Sequence, residues 1–429
     1  METLLCVGIS HKQAPVGVRE RLVVRSDEVS GRLQALRRLP GLREVFVVST
    51  CNRLEVFAAA DSRDAAQKIL ESLDPVAIPI AVCRFDEEAL RHLFRVAASL
   101  DSMVVGDVQI LGQVKEAAAQ AQRAGSLGPQ LQRAVARAVG TAKRVRTETG
   151  IGRGALSLSS VAVEVAHKLL GDLQGRSIAL IGAGKMAELA ARELRMQGAK
   201  ELLVVNRTVP RAEALAREAD GVPLPLSDLP VLLERADVVV CSTGSTGHVV
   251  TREAVAAALK ARRYRPLFIV DLSVPRNVDP AANELENVYV YDLDDLERLA
   301  THNRTLRGAE VGRAEEIVEE ELRTFIAQAH ERDAVPVLAR LRAHGEAVAR
   351  AEAERTLAAA LRGLDDRQQK SVRAMASAIV NKLLHGPTAR LRNEAGRGSL
   401  AEAVMELFFL EEPSQPQPEA AVLSLVGNG

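Results

Sequence analysis

The sequence predicts an α/β chain in three parts: a mixed α+β amino-terminal region, a doubly wound parallel region, and an all-α carboxy-terminal region built on a long helix. Three observations carry this. Short β-rich runs alternate with helical segments through residues 156–297. A glycine turn, SIALIGAGKMAEL, follows one of those runs and opens a helix. From about Leu293 onward strands vanish, and apolar residues recur at spacings of three and four.

At 429 residues the chain has room for about three domains of roughly 150 residues. It is 47% hydrophobic and 26% charged, ordinary for a soluble globular protein. Aromatics are only 3%, so the cores must be built from Ala, Leu and Val. A formal net charge of zero excludes a polycation and leaves any nucleic-acid contact to a local patch. No run approaches the ~20 apolar residues of a membrane span, and METLLCVGISHKQ lacks the make-up of a signal peptide. A cytoplasmic location is expected, with neither DNA nor membrane as a partner.

In the first part, residues 1–155, Leu4–Ile9 and Val45–Val48 read as strands. Asp27–Leu39 and Asp86–Ala98 read as helices, the second with Asp86 as N-cap and Phe85 and Leu90 as a hydrophobic staple. After Val48 the chain turns polar through Ser49, Thr50, Cys51, Asn52 and Arg53 before Val56 and Phe57 resume the apolar pattern. Between Gly128 and Gly154 six Lys/Arg stand against one Glu, a basic patch close to the cysteine region.

The four cysteines, Cys6, Cys51, Cys83 and Cys241, form no CxxC pair, which argues against a disulfide framework and a thiolate zinc site; no metal is expected. Cys6 and Cys241 lie in apolar strands and Cys83 among Ile80, Val82 and Phe85, so all three read as small core residues. Cys51 differs. Its neighbours are polar and include Arg53, and nearby positive charge lowers a thiol pKa from about 8.5. Composition alone leaves it open between nucleophile and structural cysteine.

The second part, residues 156–297, has strands at Ser177–Ile181, Glu201–Val205, Val238–Cys241, Phe268–Asp271 and Val288–Tyr291. Gly182 permits the tight turn, Gly184 lets backbone approach a pyrophosphate, and Ala187 is the third small residue of a GxGxxA pattern. With Ala183, Lys185 and Met186 they form the candidate cradle, the diphosphate resting on helix amides. Lys185 either adds charge there or is a surface lysine. The second strand ends in Asn206-Arg207-Thr208, where an NAD site would place an acid. Arg207 favours NADP(H) through its 2′-phosphate, the alternative being a solvated loop residue.

The third part, residues 298–429, carries a seam of Val311, Ala314, Val318, Leu322, Phe325 and Ala329, with acidic residues over 315–321 covering the rest of that helix. Such a seam suits pairing with a second chain or a monomeric bundle. The tail after Glu411 reads as disordered.

A nucleophilic cysteine beside NADP(H) fits a thioester, formed by oxidation of an aldehyde or reduced from an activated acyl group. The basic segment suits an RNA-linked acyl donor. GISHKQAPVGVRE, STCNRLE, HLFRVAASLDSMVVGDVQILGQVKEA, the IGAGKM loop with NRT, STGS, DLSVPRNVDP and the Glu-rich helix follow one another in order over nearly the whole chain. In these motifs the sequence resembles the glutamyl-tRNA reductase family.

The resemblance implies a catalytic glutamyl-tRNA-binding domain, a Rossmann-type NADP-binding domain and a helical dimerisation domain. It further implies NADPH-dependent reduction of glutamyl-tRNA to glutamate-1-semialdehyde at the start of five-carbon tetrapyrrole synthesis. Cys51 takes the place of the attacking cysteine. Thr50, Asn52 and Arg53 match the substrate loop, with Arg53 on the glutamate carboxylate. His92 matches a functional histidine suited to proton transfer, although its neighbours Arg91 and Arg95 also suit a solvated face. Ser102, Asp107, Val108, Gln109 and Gln113 match the substrate-recognition segment, Asp107 replacing the usual Glu and Val108 a common Pro. In the cofactor loop Lys185 and Ala187 replace the commoner Glu and Gly. A homodimer, and channelling of the aldehyde to glutamate-1-semialdehyde aminomutase, follow from the same resemblance. The competing readings are a shikimate-type dehydrogenase, which has no need of Cys51, and a non-catalytic relative, which has no need of both Cys51 and the glycine loop.

Overall fold

The computed structural model describes residues 2–410 apart from residues 26, 104, 108, 152–157, 172, 305–307 and 394–397. Val108, the 155/156 boundary and the tail after Glu411 therefore lie outside the described residues. Two compact units result, one spanning Met1–Leu322 and the other beginning at Arg323. The expected boundary at residue 297 falls inside a continuous helix, Leu293–Arg304.

The first unit holds two sheets. In the amino-terminal one, β1 (Thr3–Ser10), β2 (Leu42–Ser49), β3 (Arg53–Ala60) and β4 (Val82–Phe85) are ordered β2-β3-β1-β4 with antiparallel pairing throughout. Phe46 of β2 stacks on Phe57 of β3 with centroids 5.0 Å apart, which ties the two strands in register. Their connection is the three-residue stretch Thr50-Cys51-Asn52, so the polar break in the sequence is a hairpin end.

Two local expectations are corrected here. Asp86 does not cap its helix: Phe85 is the N-cap residue and no side chain caps it. The Asp86 backbone has φ +50°, and its carboxylate accepts from the Leu4 N–H at 3.2 Å and from Arg63 at 2.8 Å. Cys83 is half-buried rather than a core residue, because β4 is an edge strand.

The second sheet is parallel and six-stranded: β5 (Ser177–Ile181), β6 (Glu201–Asn206), β7 (Val222–Pro225), β8 (Val238–Cys241), β9 (Leu267–Asp271) and β10 (Val288–Tyr291). Its order, β10-β9-β8-β5-β6-β7, is that of the dinucleotide-binding fold, with the topological switch between β5 and β8. The sequence reading misses β7. That strand reads VPLP, and two prolines are tolerated because it is an edge with one partner.

The acidic helix also departs from expectation. Within Gly308–Ala358, the seam residues Ala314, Val318, Leu322 and Phe325 are already buried in the single chain and are not free to pair with another. Its glutamates have partners as well. Glu319 pairs with Arg91, Glu315 with Arg95, and Glu321 with Arg137 and Arg144. The last two contacts take part of the Gly128–Gly154 basicity into intramolecular ion pairs. The second unit has its own core of Leu338, Leu341, Leu391, Val404 and Leu410. On its helix Asp366–Asn393, Met375, Ile379 and Leu383 form an exposed stripe at four-residue spacing. No helix among the described residues is long and apolar enough to cross a membrane.

Candidate active site

Cys51 sits at the tip of the β2–β3 hairpin. The Thr50 N–H donates to the Arg53 carbonyl at 2.9 Å and closes the turn. The Asn52 N–H donates to Thr50 Oγ1 at 3.1 Å, and the His11 N–H to the Asn52 carbonyl at 2.8 Å. Thr50 and Asn52, which flank Cys51, are thus held by backbone or by a short polar side chain.

Directly behind the tip lies a buried charge cluster. Arg53 is 2% exposed and Glu55, two positions on and so on the same face of β3, is also 2% exposed. Arg53 Nη1 donates to both Glu55 oxygens at 3.1 and 3.2 Å, and the guanidinium also contacts the side chain and carbonyl of Asp101. Lys12 pairs with Asp101 from the other side. His92 is buried, its Nε2 lying 2.7 Å from Glu55 Oε1 and its ring stacked on Phe57 at 6.2 Å. Burial works to raise the Glu55 carboxyl, but Arg53 and His92 together hold it well below the usual carboxylate range. For Asp101 the same opposition, with Arg53 and Lys12 as the lowering charges, again ends below normal.

This geometry revises three sequence readings. His92 is not on a solvated face; it faces inward onto Glu55. Arg53 lines the pocket described below, yet its Nη groups are committed to Glu55 and Asp101, and only its buried Nε has no partner among the described residues. The cation that most opposes ionisation loss at Cys51 is Arg19, ahead of Arg53. Burial nonetheless pushes the Cys51 thiol up to about 11, with Asp107 adding to the rise, so the thiol is not ready-made as a thiolate.

One small pocket collects most of the predicted substrate residues: Thr50, Cys51, Asn52, Arg53, Ser102, Asp107, Gln109 and Gln113, with Ile110 and Met186. Asp107 accepts from the Gln109 N–H at 2.9 Å, and burial raises its carboxyl above the ordinary value. Met186 comes from the first turn of the helix that the glycine loop opens, and Cys51, Ala183, Met186 and Val274 all pack against the core of the parallel sheet. The cysteine hairpin and the dinucleotide loop therefore wall the same space.

The loop itself suits a dinucleotide. Gly182 has φ +111°, and a Cβ there would fall 2.0 Å from the Ser242 carbonyl. Gly184 is exposed and caps the helix Lys185–Met196, with only one atom within 4 Å of a built Cβ, so backbone can meet a phosphate there. Ala187 is fully buried where helix meets sheet. Lys185 begins that helix; its side chain lies outside the described set. Beyond β6, Arg207 is exposed, and Asn206 donates to the Thr208 carbonyl at 3.2 Å. The STGS and DLSVPRNVDP motifs meet beside the loop, where the Thr243 N–H donates to Ser273 Oγ at 3.2 Å.

Comparison with known proteins agrees with this arrangement. Family profiles match in order: the amino-terminal domain of glutamyl-tRNA(Glu) reductase over residues 7–149, shikimate/quinate 5-dehydrogenase over 164–299, and the glutamyl-tRNA(Glu) reductase dimerisation domain over 313–410. Glutamyl-tRNA reductase 2 of Anaeromyxobacter dehalogenans is 52% identical over 410 residues, covering 95% of this chain and 92% of that protein. The chain belongs to the glutamyl-tRNA reductase family. Glutamyl-tRNA reductase of Myxococcus xanthus is 48% identical over 95% of this chain and 94% of its own length. Among solved structures, glutamyl-tRNA reductase from Methanopyrus kandleri is 34% identical, covering 94% of this chain and 99% of its own, with a TM-score of 0.49. Members of this family are oxidoreductases, and the shikimate-dehydrogenase-like match implies a pyridine nucleotide.

Sequence reasoning left out Glu55, Asp101 and Arg19. Period-two spacing from Arg53 along a strand was the signal for Glu55. Asp101 adjoins Ser102, and Arg19 lies in the quoted GISHKQAPVGVRE stretch, but neither has a local pattern that announces a partner.

Replacing Glu55 with Gln leaves Arg53 and His92 less well balanced in a buried site, and should cost about 3 kcal/mol in urea unfolding. The folded carboxyl is depressed, so its stabilisation is present above its unfolded value of about 4.3 and is lost as pH falls towards the folded value. The gap between wild type and Glu55→Gln should accordingly narrow below about pH 4. A gap independent of pH would show that ionisation of Glu55 is not what stabilises the hairpin.

Proposed function

We propose that this chain reduces glutamyl-tRNA with NADPH to glutamate-1-semialdehyde, releasing tRNA, through a glutamyl thioester on Cys51. The observation that carries the reading is the shared pocket, in which Cys51 and Met186 of the dinucleotide loop are both lining residues. Residues 1–155 would carry the acyl chemistry, 156–297 the cofactor and 298–429 the dimer contact. Four free thiols among the described residues suit a reducing, cytoplasmic setting.

Within that pocket Cys51 Sγ attacks the ester carbonyl, the carbon–oxygen bond to the tRNA 3′ end breaks, and the tRNA hydroxyl leaves with a proton. Because burial keeps the thiol protonated, attack needs a proton acceptor, and the raised Asp107 carboxyl is the pocket's own candidate. Arg53, which lines the pocket, would offer its positive charge to the substrate carboxylate, while Thr50, Asn52, Ser102, Gln109 and Gln113 supply neutral polar contacts. His92 reaches the pocket only through Glu55 and Arg53, so we assign it a positioning role. When bound, NADPH would supply the hydride that reduces the thioester to the aldehyde, Cys51 Sγ leaving as thiolate and regaining its proton from solvent. Gly182 and Gly184 would hold its diphosphate, with Ala187 packing the helix onto the sheet behind them, and Arg207 would hold its 2′-phosphate.

A plain dehydrogenase of the shikimate type is the second reading, favoured by the profile match over residues 164–299. It leaves the Cys51 pocket without a role.

With charged glutamyl-tRNA and NADPH, the wild type should yield semialdehyde and Cys51→Ala should lose essentially all of it while keeping its circular dichroism and melting temperature. Substantial residual turnover in Cys51→Ala would remove the covalent mechanism.

Arg207→Asp should move preference from NADPH towards NADH, since a lost charge-assisted contact is worth roughly 1.5–3 kcal/mol, about ten- to a hundredfold in affinity. Equal kcat/KM ratios for the two cofactors before and after the change would put the 2′-phosphate elsewhere.

The exposed Met375, Ile379 and Leu383 stripe, within the stretch matched by the dimerisation profile, supports a homodimer formed by the second unit. Ile379→Asp should turn a dimer into a monomer in sedimentation velocity. A dimer that survives it would assign the contact to another surface.

A further inference from the structure

Arg19 stands out among charged residues that the reaction scheme leaves unused. It is 3% exposed, and it touches both halves of the candidate site. Nη1 donates to the Cys51 carbonyl at 2.9 Å and to Asn52 Oδ1 at 3.1 Å. Nη2 pairs with Asp294, which lies just beyond the last strand of the parallel sheet. Asp294 also accepts from the Val16 N–H at 2.7 Å, so one carboxylate holds two points of the segment that carries Arg19. Two further ties run beside it. Arg276 pairs with Glu20 at 2.8 Å, and His11, whose backbone N–H donates to the Asn52 carbonyl, has its Nε2 3.2 Å from Glu297.

We propose that Arg19 is a positioning residue for the thioester chemistry, a two-sided clamp that fixes the Cys51 tip to the cofactor-binding sheet so that acyl transfer and hydride delivery share one alignment. The inference rests on the reading of Cys51 as nucleophile. A planar guanidinium suits the task because its two Nη groups can serve carbonyl, amide and carboxylate acceptors at once, which an ammonium cannot do at the same spacing. The Arg19 charge also opposes the effect of burial on the thiol, alongside Arg53 and against Asp107. Arg19 therefore carries two separable properties, charge and bridging.

Three variants separate them. Cys51 alkylation by iodoacetamide at about pH 8, followed on the Cys51 peptide by mass spectrometry, reads the thiol without substrate. The ratio of semialdehyde to free glutamate formed from glutamyl-tRNA with NADPH reads alignment, because a misaligned thioester goes to water instead. Arg19→Gln should slow alkylation about three- to tenfold and lower the product ratio at least fivefold. Arg19→Lys, which keeps the charge, should restore alkylation to within about twofold of wild type and leave the ratio low. Asp294→Asn should lower the ratio with little change in alkylation. A product ratio unchanged in Arg19→Gln and Asp294→Asn would overturn the proposal. So would a fall in overall rate that tracks lost melting temperature while alkylation and ratio stay at wild-type values. Failure of the nucleophile reading itself shows differently: Cys51→Ala would then still deacylate glutamyl-tRNA at the wild-type rate.

Discussion

Arg53 in its buried acidic socket is the constraint on which the rest of the site depends. A guanidinium at 2% exposure is expensive to desolvate, and it is tolerated because Glu55 and Asp101 balance it and accept its hydrogens. The same pairing anchors the start of β3, and so it anchors the hairpin tip one residue earlier. Removing one partner would leave a buried charge unbalanced, which makes the cluster cooperative rather than a set of separate contacts.

From that anchor the functional geometry follows by short steps. The tip is closed by the Thr50 to Arg53 bond, and its outer side faces the glycine loop through Met186. Glu55 passes the constraint back to His92, whose ring is trapped between that carboxylate and Phe57. The hairpin tip that carries Cys51 is thereby tied to the buried cluster through Arg53. The thiol's high proton affinity is the counterpart of its burial, which disfavours the free thiolate.

Local patterns carried the parts of this that are local. The alternation of strands and helices, the glycine turn and the polar break at Cys51 could all be read along the chain because each has a short-range signature. The edge strand β7 could not, since its prolines argue against a strand unless the missing neighbour is known. Asp86 looked like an N-cap because its type and place fit, yet a distant Leu4 N–H claims its carboxylate. The acidic helix showed the same limit: periodicity exposed an apolar seam and a glutamate face, but not that Arg91, Arg95 and Arg144 of the same chain would meet them. At the site, most residues of the substrate-matching segments converge on one pocket, whereas the partnerships behind it, among Lys12, Arg53, Glu55, His92 and Asp101, are set by the fold and not by sequence spacing.

If the buried cluster prebuilds the Cys51 tip, acyl transfer should proceed before any cofactor is bound. The direct measurement is an acid quench of enzyme mixed with glutamyl-tRNA in the absence of NADPH, followed by intact-protein mass spectrometry. A glutamyl adduct on the wild type, absent from Cys51→Ala and accompanied by release of uncharged tRNA, is the expected result. Deacylation and adduct that both appear only when NADPH is present would contradict it, because the cofactor would then be needed to assemble the acyl-accepting site.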